Sequence, residues 1–201
     1  MFRSFAKPTK NALLFTQKHK SQIMEVEKRT LNPFSGFSGE LGFYVSALEI
    51  ARERLRKTAA DLSFEELSAR AFPGAHQIGN LILHLGEAEA SWIHSRLVGK
   101  ELSDDEKKFA HLYDTTERDY AEKAYSAAEC LERIDRISQK SRRVLANFTD
   151  VDLDKLFAYE TDDNRKIEVS LRRVLTDLAD HEAVHRGQIS MLKRILRGGE
   201  I

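Results

Sequence analysis

Two histidines four residues apart are the side chains of this sequence best suited to chemistry. His181 and His185 lie in a stretch where apolar residues recur every three or four positions, which predicts a helix. Residues at i and i+4 share one face of a helix, so both imidazoles can bind one metal ion. With Glu182 they fall on the apolar face, where unpaired ionisable groups are costly. Hydrogen-bonded core histidines would also fit, but two histidines and a glutamate together favour a metal site.

The same segment, His181-Glu182-Ala183-Val184-His185, matches the H-E-x-x-H pattern of zinc proteases, in which the glutamate is the general base. Such proteases take a third ligand from a position after the pair. Gln188 stands where that pattern has a glycine and Met191 where it has a histidine, and Glu200 lies beyond the predicted helix. No sheet is predicted that would bind a peptide as an added strand. The sequence therefore disfavours a protease and predicts a third ligand from another helix.

Five further histidines are candidates for that ligand: His19, His76, His84, His94 and His111. Of these, His84 alone falls in the middle of a predicted helix and near its apolar face, with the small residue Ala88 one turn later. Facing helices of a bundle commonly build such a site in the core. Three neutral imidazoles would leave one coordination position open for a water or a substrate thiol, as catalytic metals require.

Four long helices are predicted to position these residues. The first spans about residues 40–61 and the second about residues 76–98. The third begins at Ser126 and the fourth at about Leu171. Residues 100–125 form a connection long enough to cross the bundle, and residues 156–159 and 166–169 are typical of a hairpin. The sequence therefore predicts an all-α four-helix bundle with a long crossover between helices 2 and 3 and a short β-hairpin before helix 4.

Composition excludes several classes of function. The 32 basic and 32 acidic residues cancel, so no overall field attracts nucleic acid. No apolar run approaches the roughly 20 residues that a membrane span needs. A length of 201 residues is typical of one domain. The single cysteine, Cys130, excludes an internal disulfide and favours a reducing, cytoplasmic location.

The beginning of the chain differs from the rest. Basic residues appear there with no acidic residue before Glu25. Acid-poor leaders of this kind serve as targeting arms in some proteins, but a dispensable extension is the interpretation that we prefer. We expect residues 1–37 to form a basic N-terminal extension, flexible or loosely packed, and residues 38–201 to form the bundle domain.

Two motifs carry a resemblance to a known family. Pro73-Gly74 followed by His76-Gln77-Ile78-Gly79 leads to His84, and the segment H-E-A-V-H-R-G-Q-I runs from His181 to Ile189. This layout resembles the DinB-like family over about residues 40–197. The resemblance implies a metal-binding four-helix bundle, often dimeric, that acts as a metal-dependent hydrolase or a thiol-dependent transferase.

From this resemblance we expect His84, His181 and His185 to bind one divalent ion, either zinc, nickel or iron. The implied function is hydrolysis, or S-transfer with a low-molecular-weight thiol as co-substrate, on a small molecule. Glu182 is the candidate catalytic residue, as general base or as a residue that orients a ligand histidine. A homodimer is the implied assembly. The alternative is a non-enzymatic metal- or ligand-binding stress-response protein, whose ion stabilises the bundle.

Overall fold

The computed structural model describes residues 28–37, 39–110, 119–123, 125–161 and 163–199, without the side chains of residues 109 and 110. It divides into two compact units, Met1–Thr30 and Leu31–Ile201. The predicted histidine candidates His19 and His111, and residues 1–27 of the predicted extension, lie outside the described residues. The division into an extension and a domain at residue 38 stays a prediction.

Four long helices form the second unit, as predicted. They are α1 (Gly39–Ala59), α3 (Ile78–Glu89), α6 (Ala127–Leu145) and α7 (Leu171–Leu196). The shorter helices between them are α2 (Phe64–Ser68), α4 (Asp104–Ala110) and α5 (Tyr120–Lys123). The antiparallel strands β1 (Leu156–Glu160) and β2 (Lys166–Ser170) form the predicted hairpin directly before α7. None of the described helices is long and apolar enough to cross a membrane.

Contacts at both ends show that α1 and α7 run in the same direction. Arg172, at the start of α7, forms an ion pair with Glu40 at the start of α1. At the other end, the Lys193 ammonium donates a hydrogen bond of 2.9 Å to the carbonyl oxygen of Thr58. The first and last helices of the bundle are therefore parallel neighbours.

The middle two long helices are also parallel to each other. Gly86 of α3 lies against Ile134 and Ile137 of α6. Farther along, His94, in the π-helical segment Ala90–Arg96 that follows α3 directly, contacts Ser141 of α6 over 2.9 Å. Because α3 and α6 run in the same direction, the chain must return along the bundle between them. This requirement explains the predicted long crossover.

Packing and hydrogen bonds around Gly79 hold the end of this crossover against the start of α3. The ring of Tyr120 lies so close to Gly79 that a Cβ atom there would be 2.2 Å from the tyrosine Cε2. The backbone N–H of Tyr120 donates to Gln77 Oε1 over 2.9 Å, and its hydroxyl donates to the Tyr125 carbonyl over 2.6 Å. The first turn of α3 is thereby fixed, five residues before His84.

We expect Gly79→Ala to lower the free energy of unfolding by about 1–3 kcal/mol, the usual cost of overpacking. This loss should appear although alanine is the better helix former by about 1 kcal/mol. Urea denaturation would measure it. Gly187→Ala in α7 is the matched control, because a Cβ atom there meets nothing within 4 Å and the change should be neutral or stabilising. Equal effects of the two substitutions would contradict the close contact with Tyr120.

Candidate metal centre

Three histidines from two helices meet at one point of the bundle. His84 of α3 and His181 and His185 of α7 each offer a ring nitrogen, and these atoms all lie within 4.8 Å of one another. The ring centroid of His84 lies 5.1 Å from that of His181 and 5.2 Å from that of His185. All three rings are half-buried. The structure therefore brings together the three residues that were predicted as metal ligands.

A neighbour three residues later in the chain orients two of these rings. His185 Nδ1 lies 2.6 Å from Gln188 Oε1, and His84 Nδ1 lies 3.1 Å from Glu87 Oε2. Amide and carboxylate oxygens only accept hydrogen bonds, so in each neutral ring Nδ1 carries the proton and donates it. The Nε2 atoms of His84 and His185 are then left with a lone pair for a metal ion.

The contact between the two α7 histidines tests whether a cation fits this site. His185 Nε2 lies 2.9 Å from His181 Nε2. Since His185 uses Nδ1 to donate to Gln188, its Nε2 presents a lone pair to the other ring. Two nitrogen atoms at this distance need a proton or a cation between them. The donor set of three imidazole nitrogens is one that zinc and other borderline divalent ions bind, so the residues present fit a metal ion.

The electrostatics of the site keep the two imidazoles of α7 neutral, as metal binding requires. Burial, together with the nearby rings of His185 and His84, lowers the pKa of His181 to about 4. Burial also lowers the pKa of His185. Both histidines of α7 are therefore unprotonated at neutral pH in the absence of a metal ion.

A cavity of about 530 Å³ opens beside His84 and His181. Its wall combines apolar side chains with three carboxylates and a single arginine. The lining residues are His84, Glu87, Ala88, Ser91, Trp92, Arg96, Asp177, Leu178, Asp180, His181 and Val184. The volume is within the range of small-molecule sites, so a substrate of modest size can reach the histidine cluster.

Glu182, the predicted catalytic residue, points into the bundle and is only 3% exposed. Its Oε1 accepts a hydrogen bond of 2.6 Å from Arg52 Nε, and the same guanidinium pairs with Glu89 over 2.6 Å. Burial raises the pKa of Glu182, and Arg52 opposes this shift. Glu182 is not among the described residues that line the cavity. Its predicted role as general base or as a ligand-orienting residue stays a prediction.

The remaining predicted candidates are not members of the cluster, although His76 is near enough to His185 to lower the pKa of that residue. His76 is exposed just before α3. His94 is buried beside Ser141, and burial lowers its pKa to about 4. In the part of the chain that the structure describes, His84 is thus the histidine that completes the pair on α7.

Glu87 and Gln188 were not predicted as ring-orienting residues. The signal for both is present in the sequence, since each stands three positions after a candidate ligand and therefore on the same helix face. A polar side chain with an acceptor oxygen at i+3 is what a buried histidine needs to fix its tautomer.

Comparison with known proteins gives one family match. The sequence profile of the family described as Mycothiol-S-transferase matches residues 44–198, which include all three histidines. Among curated proteins, no sequence matches the chain.

Three solved structures illustrate the similarity in fold. A conserved protein from Enterococcus faecalis is 16% identical, with a TM-score of 0.57 over 77% of this chain and 95% of its own. YfiT from Bacillus subtilis, described as a probable metal-dependent hydrolase with an unusual four-helix bundle topology, is 19% identical, with a TM-score of 0.57 over 89% and 97%. A DinB-like protein from Bacillus cereus is 20% identical, with a TM-score of 0.57 over 78% and 91%. At these identities the similarity shows the fold.

Proposed function

We propose, since the chain belongs to the mycothiol-S-transferase family, that it transfers a low-molecular-weight thiol to a small electrophilic molecule. In this proposal His84, His181 and His185 hold one divalent ion. The family match also confirms the DinB-like resemblance of the sequence. The observation that carries the proposal is the meeting of three ring nitrogens, all within 4.8 Å of one another, at the wall of a cavity of about 530 Å³.

When bound, a divalent ion supplies Lewis-acid chemistry, which makes a thiol more acidic at neutral pH. In the reaction, the thiol sulfur forms a bond to a carbon atom of the acceptor. The leaving group departs with its electron pair, and the thiol proton passes to solvent. The thiol would be mycothiol or a similar compound, as the family description suggests.

The side chains around the site support this chemistry in separate ways. Glu87 and Gln188 hold the rings of His84 and His185 in the tautomers that present Nε2. Trp92 and Leu178 give the cavity an apolar wall, against which the apolar part of an electrophile can pack. Three imidazoles form an incomplete coordination sphere, so this donor set suits a catalytic ion better than a purely structural one.

Metal-dependent hydrolysis is the second candidate function, because the cavity that admits a thiol also admits water. The similarity in fold to YfiT is in keeping with it. A zinc protease of the H-E-x-x-H type fits less well, since Glu182 pairs with Arg52 in the bundle interior and is absent from the described cavity wall. The metal identity and a homodimer stay predictions.

The proposal predicts a thiol transfer that depends on the metal. Protein purified without a nickel column is stripped with a chelator and reconstituted with zinc, nickel or iron. Transfer of mycothiol or N-acetylcysteine to monobromobimane is then followed by fluorescence of the thioether. We expect the stripped protein to be slower by at least about 100-fold. Substitution of a residue that only orients a metal ligand already costs about 10–100-fold in activity, and removal of the metal should cost more.

Two controls separate the alternatives. His76→Ala removes an exposed histidine outside the cavity and should leave the rate unchanged, which shows that the effect of the metal belongs to the cluster. Metal-dependent hydrolysis of ester or amide substrates without any thiol would replace the transferase proposal with the hydrolase. Transfer at the same rate in stripped and reconstituted protein would overturn both.

A further inference from the structure

The helix that carries His84 changes its winding after the site. From Ala90 to Arg96, α3 continues as a π-helical segment, in which the Leu97 N–H donates to the Trp92 carbonyl over 2.9 Å. Such segments are rare and occur frequently at functional sites. A change of winding alters the direction in which every later side chain points, so its consequence for the cavity can be worked out.

The π-helical segment turns Arg96 onto the face of His84. An α-helix turns by about 100° per residue, so Arg96, twelve positions later, would point about 120° away from His84. A π-helix makes roughly 4.4 residues per turn, or about 82° per residue. With the last six steps wound in this way, the difference falls to about 10°. This explains why one cavity is lined by both residues.

Two aromatic rings hold the guanidinium group of Arg96 in place. Its Cζ atom lies 4.6 Å from the ring centroid of Trp92 and 5.0 Å from that of Tyr159 in β1. The two rings contact each other edge to face, with centroids 5.1 Å apart. Aromatic faces attract the cation and leave its N–H groups, at the edge of the plane, available for hydrogen bonds.

Arg96 has no carboxylate partner among the residues that the structure describes. Among the described residues that line the cavity it is the only lysine or arginine, and it takes part in no ion pair within the described part of the chain. Two of the carboxylates in the wall have partners, because Asp177 pairs with Arg173 over 2.7 Å and Glu87 binds His84. A guanidinium group that is held but unpaired suits the planar, two-oxygen geometry of a carboxylate.

We infer that Arg96 is a specificity-determining residue, which binds a carboxylate group on one of the two substrates while the reacting atom lies at the histidines. This inference rests on the proposed function and names its substrate class, namely small molecules with a carboxylate at one end. The carboxylate belongs either to the thiol or to the acceptor, and the chemistry at Arg96 is the same in both cases.

Pairs of substrates that differ in one charge test the inference on zinc-reconstituted protein. In the first arm, N-acetylcysteine is compared with its amide, with monobromobimane as acceptor. In the second arm, iodoacetate is compared with iodoacetamide, with the neutral thiol amide. In one arm we expect Arg96→Gln to lower kcat/KM for the charged substrate by about 10-fold or more, as loss of a hydrogen bond to a charged group predicts. The neutral substrate should change less than about twofold.

Two further variants show whether position and charge both matter. Arg96→Lys keeps the charge without the planar group and should restore part of the preference for the charged substrate. Arg143→Gln changes the net charge equally, but Arg143, which is exposed like Arg96, lines a different cavity, so the preference should persist. An equal loss for charged and neutral substrates in both arms would overturn the role of Arg96 while leaving the transferase activity established.

A binding measurement separates failure of this inference from failure of the proposed function. Trp92, the only tryptophan of the chain, contacts Arg96, so its fluorescence reports ligands at this position. The zinc-loaded protein is titrated with N-acetylcysteine and its amide, and with the unreactive pair propionate and propionamide. If no pair turns over, weaker binding of a charged ligand to Arg96→Gln still supports the carboxylate site. Identical binding of charged and neutral ligands by parent and Arg96→Gln would overturn it.

Discussion

A variant with alanine at both His181 and His185 is expected to contain almost no metal, whereas the parent protein contains about one divalent ion per chain. The substitutions leave His84 as the only imidazole of the cluster. Changes to residues that merely orient a ligand already lower metal affinity by about 10–100-fold. Removal of two of three ligands should exceed that loss, and thiol transfer should fall with it. Elemental analysis after incubation with zinc, nickel and iron is the measurement.

The variant should nevertheless stay folded, which circular dichroism would verify. Both histidines are half-buried, and burial lowers their pKa values, so they are neutral at neutral pH and their removal leaves no buried charge without a partner. His76→Ala, which removes an exposed histidine, should keep the full metal content. If the parent binds none of the three metals, the histidines are a hydrogen-bonded cluster, and the proposed enzyme falls with the metal site.

The parts of the fold that the sequence predicts correctly depend on local signals. The S-x-x-E spacing of Ser63 and Glu66 predicts a capping box, which forms with the Ser63 N–H donating to Glu66 Oε2 over 2.9 Å. Ser126 and Glu129 form the same motif at the start of α6, where the Ser126 N–H donates to Glu129 Oε2 over 2.8 Å. Such contacts join residues three positions apart, so sequence spacing is enough to find them. The helix bounds then follow from apolar periodicity to within a few residues.

The candidate site was predictable for a similar reason. His181 and His185 are related by helical spacing, and His84 is the candidate that falls in mid-helix near an apolar face. The π-helical winding of Ala90–Arg96 was not predicted, because a continuous helix was expected to residue 98. Its hydrogen bonds depend on packing between helices, which no local spacing reveals. The place of Arg96 in the cavity therefore required the structure.

The burial of Arg52 was not predicted, although its position is on the apolar face of α1, four residues after Leu48 and three before Leu55. It lies in the charged run Arg52-Glu53-Arg54, which is typical of a solvated helix face. In the structure Arg52 is 1% exposed and binds Glu89 and Glu182. The second partner is 130 positions away in sequence. One guanidinium thus joins α1 to the two helices that carry the histidines.

We expect Arg52→Met to be among the most destabilising single substitutions of this protein, at about 3–5 kcal/mol. It leaves Glu89 and Glu182 buried without a counterion. One oxygen of each carboxylate already lacks a hydrogen-bond partner among the described residues. For a chain of this length the midpoint of thermal unfolding should fall by about 10–15 °C. Scanning calorimetry of the metal-free protein measures the loss without any contribution from bound ion.

The origin of this loss is tested by removing the buried charges together. In Arg52→Met, Glu89→Leu, Glu182→Leu the interior holds no ion, and such replacements are often neutral or stabilising, so most of the lost stability should return. A triple variant no more stable than Arg52→Met would show that packing, and not the unpaired carboxylates, causes the loss.

The single substitution Glu182→Gln decides the role of Glu182. Turnover lost with metal retained identifies a general base, and metal lost identifies a residue that orients the ligands. If Glu182→Gln alters neither property, Glu182 serves to hold α7 against Arg52.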